Sequence, residues 1–108
     1  MHFELNKVYH VYSRKNSKQR IFFTKEHYAC FIGLIKELIL PHCELLAYCL
    51  MPNHFHLLIL ANEQTVAMDE RDSSRFSEAI QELLRQYGKA ANKRQGKVFS
   101  LIKTVENK

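Results

Sequence analysis

Tryptophan is missing from this chain, and the turn-forming residues are scarce, with two prolines and three glycines in 108 residues. There is accordingly no low-complexity tract, internal repeat or long linker, and the length suffices for one core rather than two, a single domain over residues 1–108. No apolar run approaches the length of a membrane span, so no membrane contact is expected. The opening Met1-His2-Phe3-Glu4 lacks the basic-then-apolar build of a secretory signal, which makes a cytoplasmic location the expectation. Cys30, Cys43 and Cys49 are odd in number and show no Cys-x-x-Cys spacing, which argues against a disulfide framework and a thiolate zinc site. Each reads as a small buried hydrophobe.

What the chain does contain is ordinary globular material, 46% hydrophobic and 25% charged, with a surplus of base that gives a net charge of +5. The placement of that charge matters more than its size. Arg14, Lys15, Lys18 and Arg20 form one basic cluster, and Arg85, Lys89, Lys93, Arg94 and Lys97 form a second with no acid among them. Clusters of this kind are most often solvated surface; they also attract a phosphate backbone, and contact with nucleic acid is the reading preferred here.

Hydrophobic periodicity gives an element order. Lys7 to Arg14 is rich in strand formers and reads as a first strand. Thr24 is a suitable N-cap for a helix whose apolar positions Tyr28, Phe31, Ile32, Ile35, Leu38 and Ile39 recur at three- and four-residue steps, and Pro41 ends it. Cys43 to Met51 forms a second strand, and Pro52-Asn53 is β-turn chemistry leading into a third strand, His54 to Leu60. The polar stretch from Ala61 to Asp72 reads as a mobile connection. Ser73 or Ser74 opens a second helix with Phe76, Ala79, Ile80, Leu83, Leu84, Tyr87 and Ala91 along one stripe, and Val98 to Val105 supplies a weak last strand. The order βαββαβ predicts an α+β ferredoxin-like sandwich, an antiparallel sheet with both helices on one face.

The chemistry-bearing stretch is Tyr48-Cys49-Leu50-Met51-Pro52-Asn53-His54-Phe55-His56-Leu57-Leu58-Ile59-Leu60. Side chains alternate along a strand, so His54 and His56 share a face with Phe55 on the other, and two imidazoles so placed can chelate one divalent metal ion. Taken alone, a His-x-His pair is more often structural. Its apolar surroundings favour a shared partner, because a polar ring among hydrophobes is costly unless it is satisfied.

This stretch resembles the signature of the single-tyrosine HUH transposases, the group that includes the REP-associated tyrosine transposases. Leu5 to Arg14 and Leu83 to Lys93 are similar to the family pattern as well, so the resemblance spans most of the chain. It implies that His54 and His56 are metal ligands and that Tyr87 is the nucleophile; from the ligand chemistry, manganese or magnesium is the expected ion, with waters filling the remaining positions. It implies a single-stranded DNA transposase or nickase, working as a homodimer on single-stranded or hairpin DNA and storing the bond energy as a 5′-phosphotyrosine. In that family a further polar ligand lies one turn after the tyrosine; here that position is Ala91, and the adjacent Asn92 is the expected substitute if the helix is turned slightly, with Gln86 the alternative. Two more departures are Ser13-Arg14-Lys15-Asn16, where relatives tend to have Asn-Arg-Gly, and an end at Lys108 where family members continue with more helix, as in a truncated copy or a fragment of a longer chain. From periodicity alone Tyr87 reads as a core residue. Two rivals stand beside the enzyme: a non-catalytic nucleic-acid-binding module of the same fold, and a structural protein holding zinc through His54 and His56.

Overall fold

The computed structural model describes residues 3–13, 20–67, 74–91 and 100–104. Four strands, β1 (Val8–Ser13), β2 (Glu44–Met51), β3 (His54–Leu60) and β4 (Ser100–Thr104), form one sheet in the order β2-β3-β1-β4. Every neighbouring pair is antiparallel. With α1 (Lys25–Leu34) between β1 and β2 and α3 (Arg75–Ala91) between β3 and β4, this is the ferredoxin-like α+β sandwich that the element order predicts.

Local chemistry accounts for the boundaries. Thr24 caps α1 as expected, its side-chain oxygen accepting from the His27 N–H at 3.2 Å. The helix then widens into a π turn, Ile35–Ile39, and tightens into a 3-10 turn, Leu40–His42, which takes Pro41 in its first positions where no N–H is needed. Ser74 opens α3, its hydroxyl accepting from Ser77 N–H at 3.3 Å. The connection after β3 differs from the expectation of a structureless link. Asn62 caps a short helix, α2 (Glu63–Val66), in a reciprocal box with Thr65, and the Thr65 hydroxyl also donates to the His42 carbonyl.

Strand alternation divides the sheet into two unlike faces. Tyr9 and Val11 of β1 and Phe55, Leu57 and Ile59 of β3 point to the helix side, where they are buried with Phe31, Ile35 and Ile39 from the first helical segment and Phe76, Ile80 and Leu83 from α3. Among the described residues no helix covers the other face. The cysteines divide accordingly: Cys43 is buried and Cys30 half-buried, but Cys49 is exposed, which corrects the expectation that all three belong to the core. It lies opposite His56 in the β2–β3 register. Among the described residues no helix is long and apolar enough to cross a membrane.

Candidate metal and nucleic-acid site

The turn between β2 and β3 is held from outside. Both Ile21 N–H and Phe22 N–H donate to the Pro52 carbonyl, at 2.7 and 3.1 Å, so the segment before α1 fixes the corner from which His54 starts. Along β3, Phe55, Leu57 and Ile59 are fully buried while His54 and His56 are half-buried on the uncovered face. The imidazoles are therefore not embedded among the apolar residues that flank them in sequence. The antiparallel register puts Tyr12 of β1 opposite His56 and His10 opposite Leu58. Directly paired residues share a face, so His10 and Tyr12 join the two histidines.

Four rings meet there. His54 and His56 have centroids 5.0 Å apart with planes at 80°. His10 is stacked on His56 at 4.9 Å and on Tyr12 at 4.6 Å, and Tyr12 lies 6.4 Å from His56. The Nδ1 of His54 is 2.7 Å from the Oδ1 of Asn53, and the Nδ1 of His56 is 2.7 Å from the Nε2 of His10. Burial lowers the pKa of His56, and the neighbouring His10 and His54 lower it further, which favours the neutral ring. Sequence periodicity placed the pair; it missed His10, whose only signal was its two-residue spacing from Tyr12 in the first strand.

A divalent ion fits this donor set in part. Two neutral imidazoles on a rigid strand are suitable ligands. Among the described residues no group of three or more His, Cys, Asp or Glu side chains is arranged to hold a metal ion, so oxygen atoms of water or phosphate would complete the shell. Asn92, the expected third ligand, lies outside the described residues.

Tyr87 is elsewhere. It is 2% exposed, its ring packs against Phe22 and Phe31, and its hydroxyl donates to the Ile21 carbonyl at 2.7 Å. Phe31 in turn touches Phe55, which alternates with the histidines to the opposite face. The expectation that this phenol and the imidazoles converge is therefore corrected within one subunit: the sheet separates them, and burial raises the phenol's pKa, with Cys30 and Tyr28 adding to the shift.

The basic residues divide in the same way. Arg20 is exposed beside the corner that carries Asn53 and His54, its guanidinium 5.4 Å from the Phe23 ring centre and its Nε donating to the Phe22 carbonyl. Arg85 and Lys89 are exposed on α3, in the helical layer rather than on the histidine face, and Arg85 is engaged by Glu82 in an ion pair one turn away. That pairing holds the Glu82 carboxyl down to about 2, chiefly through hydrogen bonds from Arg85 and Gln86. Arg14, Lys15, Lys18, Lys93, Arg94 and Lys97 lie outside the described residues.

No protein-family model matches the chain, and no curated protein matches its sequence. Among solved structures it is similar to a REP-associated tyrosine transposase bound to a REP hairpin, with a TM-score of 0.60 and 13% sequence identity. The alignment covers 100% of this chain and 61% of that one, so this chain spans about three-fifths of the transposase's length. At this identity the similarity is one of fold.

Proposed function

We propose that the uncovered face of the sheet binds single-stranded or hairpin DNA, with a divalent metal ion, manganese or magnesium, held between His54 and His56 and a phosphate oxygen of the strand. The observation that carries this reading is the pair of imidazoles, centroids 5.0 Å apart on an uncovered face, each with its Nδ1 engaged outside the pair, so that a common ligand would take the Nε2 atoms. When bound, the ion would polarise the phosphodiester and offset its charge. His10 and Tyr12, stacked 4.6 Å apart, offer a flat surface to an unpaired base. The net charge of +5 and exposed Arg20 add attraction to the backbone. The transposase of similar fold was solved on a REP hairpin, which makes a hairpin the first substrate to try.

Strand cleavage and rejoining is the finer reading. It requires a phenol on the histidine face: attack would form the tyrosyl O–P bond, break the P–O3′ bond and release a 3′-hydroxyl that takes up the phenol's proton. Tyr87 of the same subunit does not meet that requirement, whereas Tyr12, 6.4 Å from His56, is on the required side. A homodimer, the assembly that the family resemblance implies, would offer a second route for a nucleophile. The burial of Tyr87 favours the rival reading, a binding module without cleavage.

One experiment separates these. The protein is incubated with 5′-extended hairpin oligonucleotides and manganese, then resolved by native and denaturing electrophoresis. Metal-dependent retardation that His54→Ala and His56→Ala abolish supports the binding site; a denaturant-resistant protein–DNA band, lost in Tyr12→Phe, adds cleavage. Retardation that is equal with and without metal and in all variants rejects the proposal.

A further inference from the structure

Each of the paired histidines is tied through the same ring atom to a residue outside the pair. We infer that Asn53 and His10 are positioning residues, which fix the tautomers of His54 and His56 so that both rings present an unprotonated Nε2 on the uncovered face. The inference rests on the reading of that pair as metal ligands and adds the residues that make the pair competent.

The argument for His54 is short. The Oδ1 of Asn53, 2.7 Å away, can only accept a hydrogen bond, so the proton of the neutral ring sits on Nδ1 and the lone pair on Nε2. Asn53 is itself held in the turn whose Pro52 carbonyl receives both the Ile21 and Phe22 N–H groups. The acceptor is therefore anchored to the core segment before α1, and not to the ring that it orients.

His56 is paired instead with an imidazole from the neighbouring strand. Its Nδ1 lies 2.7 Å from His10 Nε2, with the ring planes only 14° apart. Between two neutral imidazoles one nitrogen donates and the other accepts. If His56 donates, its Nε2 is free to bind an ion; if it accepts, its Nε2 carries the proton and cannot. The productive arrangement thus needs His10 to keep its own proton on Nδ1 and accept at Nε2. A ring nitrogen engaged in this way fixes orientation and raises the basicity of the opposite nitrogen, and loss of such a partner typically costs 10- to 100-fold in metal affinity. His10 touches His56 and not the ion, so its part is to position.

The test has two arms. Long-range proton–nitrogen NMR correlations on the metal-free protein at pH 8 report which ring nitrogen carries each proton. The expected result is protonation at Nδ1 in both His54 and His56, lost for His56 in His10→Ala and for His54 in Asn53→Ala. Manganese titration followed by electron paramagnetic resonance should then show affinity lowered about 10- to 100-fold in each alanine variant. His10→Gln and Asn53→Asp, which retain an accepting oxygen, should recover most of it. Protonation of His56 at Nε2 in the wild type, or manganese affinity unchanged in a folded His10→Ala, overturns the inference. Failure of the wild-type protein to bind manganese, with the tautomers as expected, would instead remove the metal reading and leave the positioning intact.

Discussion

The Tyr87 hydroxyl donates a 2.7 Å hydrogen bond to the main-chain carbonyl of Ile21, on the side of the sheet away from His56. This relationship assigns the phenol to the core. Ile21 and Phe22 also hold the Pro52 corner, so the residue braces the segment behind the histidines without approaching them.

Replacing Tyr87 by Phe should therefore act on stability. The ring contacts survive, but a buried carbonyl loses its donor, at a cost of about 1–2 kcal/mol. Urea unfolding should show a lower midpoint with an unchanged slope, and hairpin retardation should match the wild type. Loss of DNA binding or of a covalent adduct in a folded Tyr87→Phe would return the tyrosine to the site.

The imidazole pair should behave in the opposite manner. His54 and His56 are half-buried on a face that no described helix covers and each makes one side-chain hydrogen bond, so changing either to Ala should cost about 1 kcal/mol of stability. Removal of metal by a chelator should weaken hairpin binding by the wild type and leave the two variants unaffected. Calorimetric unfolding and filter binding with and without the chelator check both halves.

Stability should fall as the solution is acidified below neutrality. His42 and His56 both have pKa values lowered from 6.5, His42 by burial first and by Arg75 second, and the His42 Nδ1 is buried without a partner among the described residues. A histidine depressed in the fold binds fewer protons there than in the unfolded chain, so its contribution is complete above about 6.5 and is lost as pH drops towards the folded value. Glu82 adds a separate loss lower down, between 4.5 and about 2. Chemical denaturation across this range should show the upper loss reduced in His42→Gln, and an undiminished slope would contradict the assignment.

Thiol chemistry distinguishes the two faces. Cys49 is exposed opposite His56, whereas burial pushes the Cys43 thiol up to about 12. A thiol reagent should modify Cys49 quickly and Cys43 only after unfolding. A bulky adduct on Cys49 should also weaken hairpin binding, which mass spectrometry followed by filter binding would reveal.

Much of this arrangement was legible in the residues. Thr24 as a cap, Pro52-Asn53 as a corner, the shared face of His54 and His56 and the inward stripe from Phe76 to Tyr87 all follow from local chemistry and period, and all are found. Tyr87 is the instructive case, because periodicity alone assigned it to the core while the family resemblance assigned it to the chemistry. The partner of His56 was not legible: His10 is 46 residues away, and only the β1–β3 register brings the two rings together. The short helix Glu63–Val66 was hidden by its polarity, since its signal is the reciprocal capping of Asn62 and Thr65 rather than an apolar period.

The most direct measurement is to map a paramagnetic ion onto the protein. Manganese added in small proportion to isotope-labelled protein should broaden the ring and backbone resonances of His10, Tyr12, His54 and His56 first, sparing Tyr87 and the rest of α3. Broadening centred on α3, or spread evenly over the surface, would contradict a metal site on the uncovered face of the sheet.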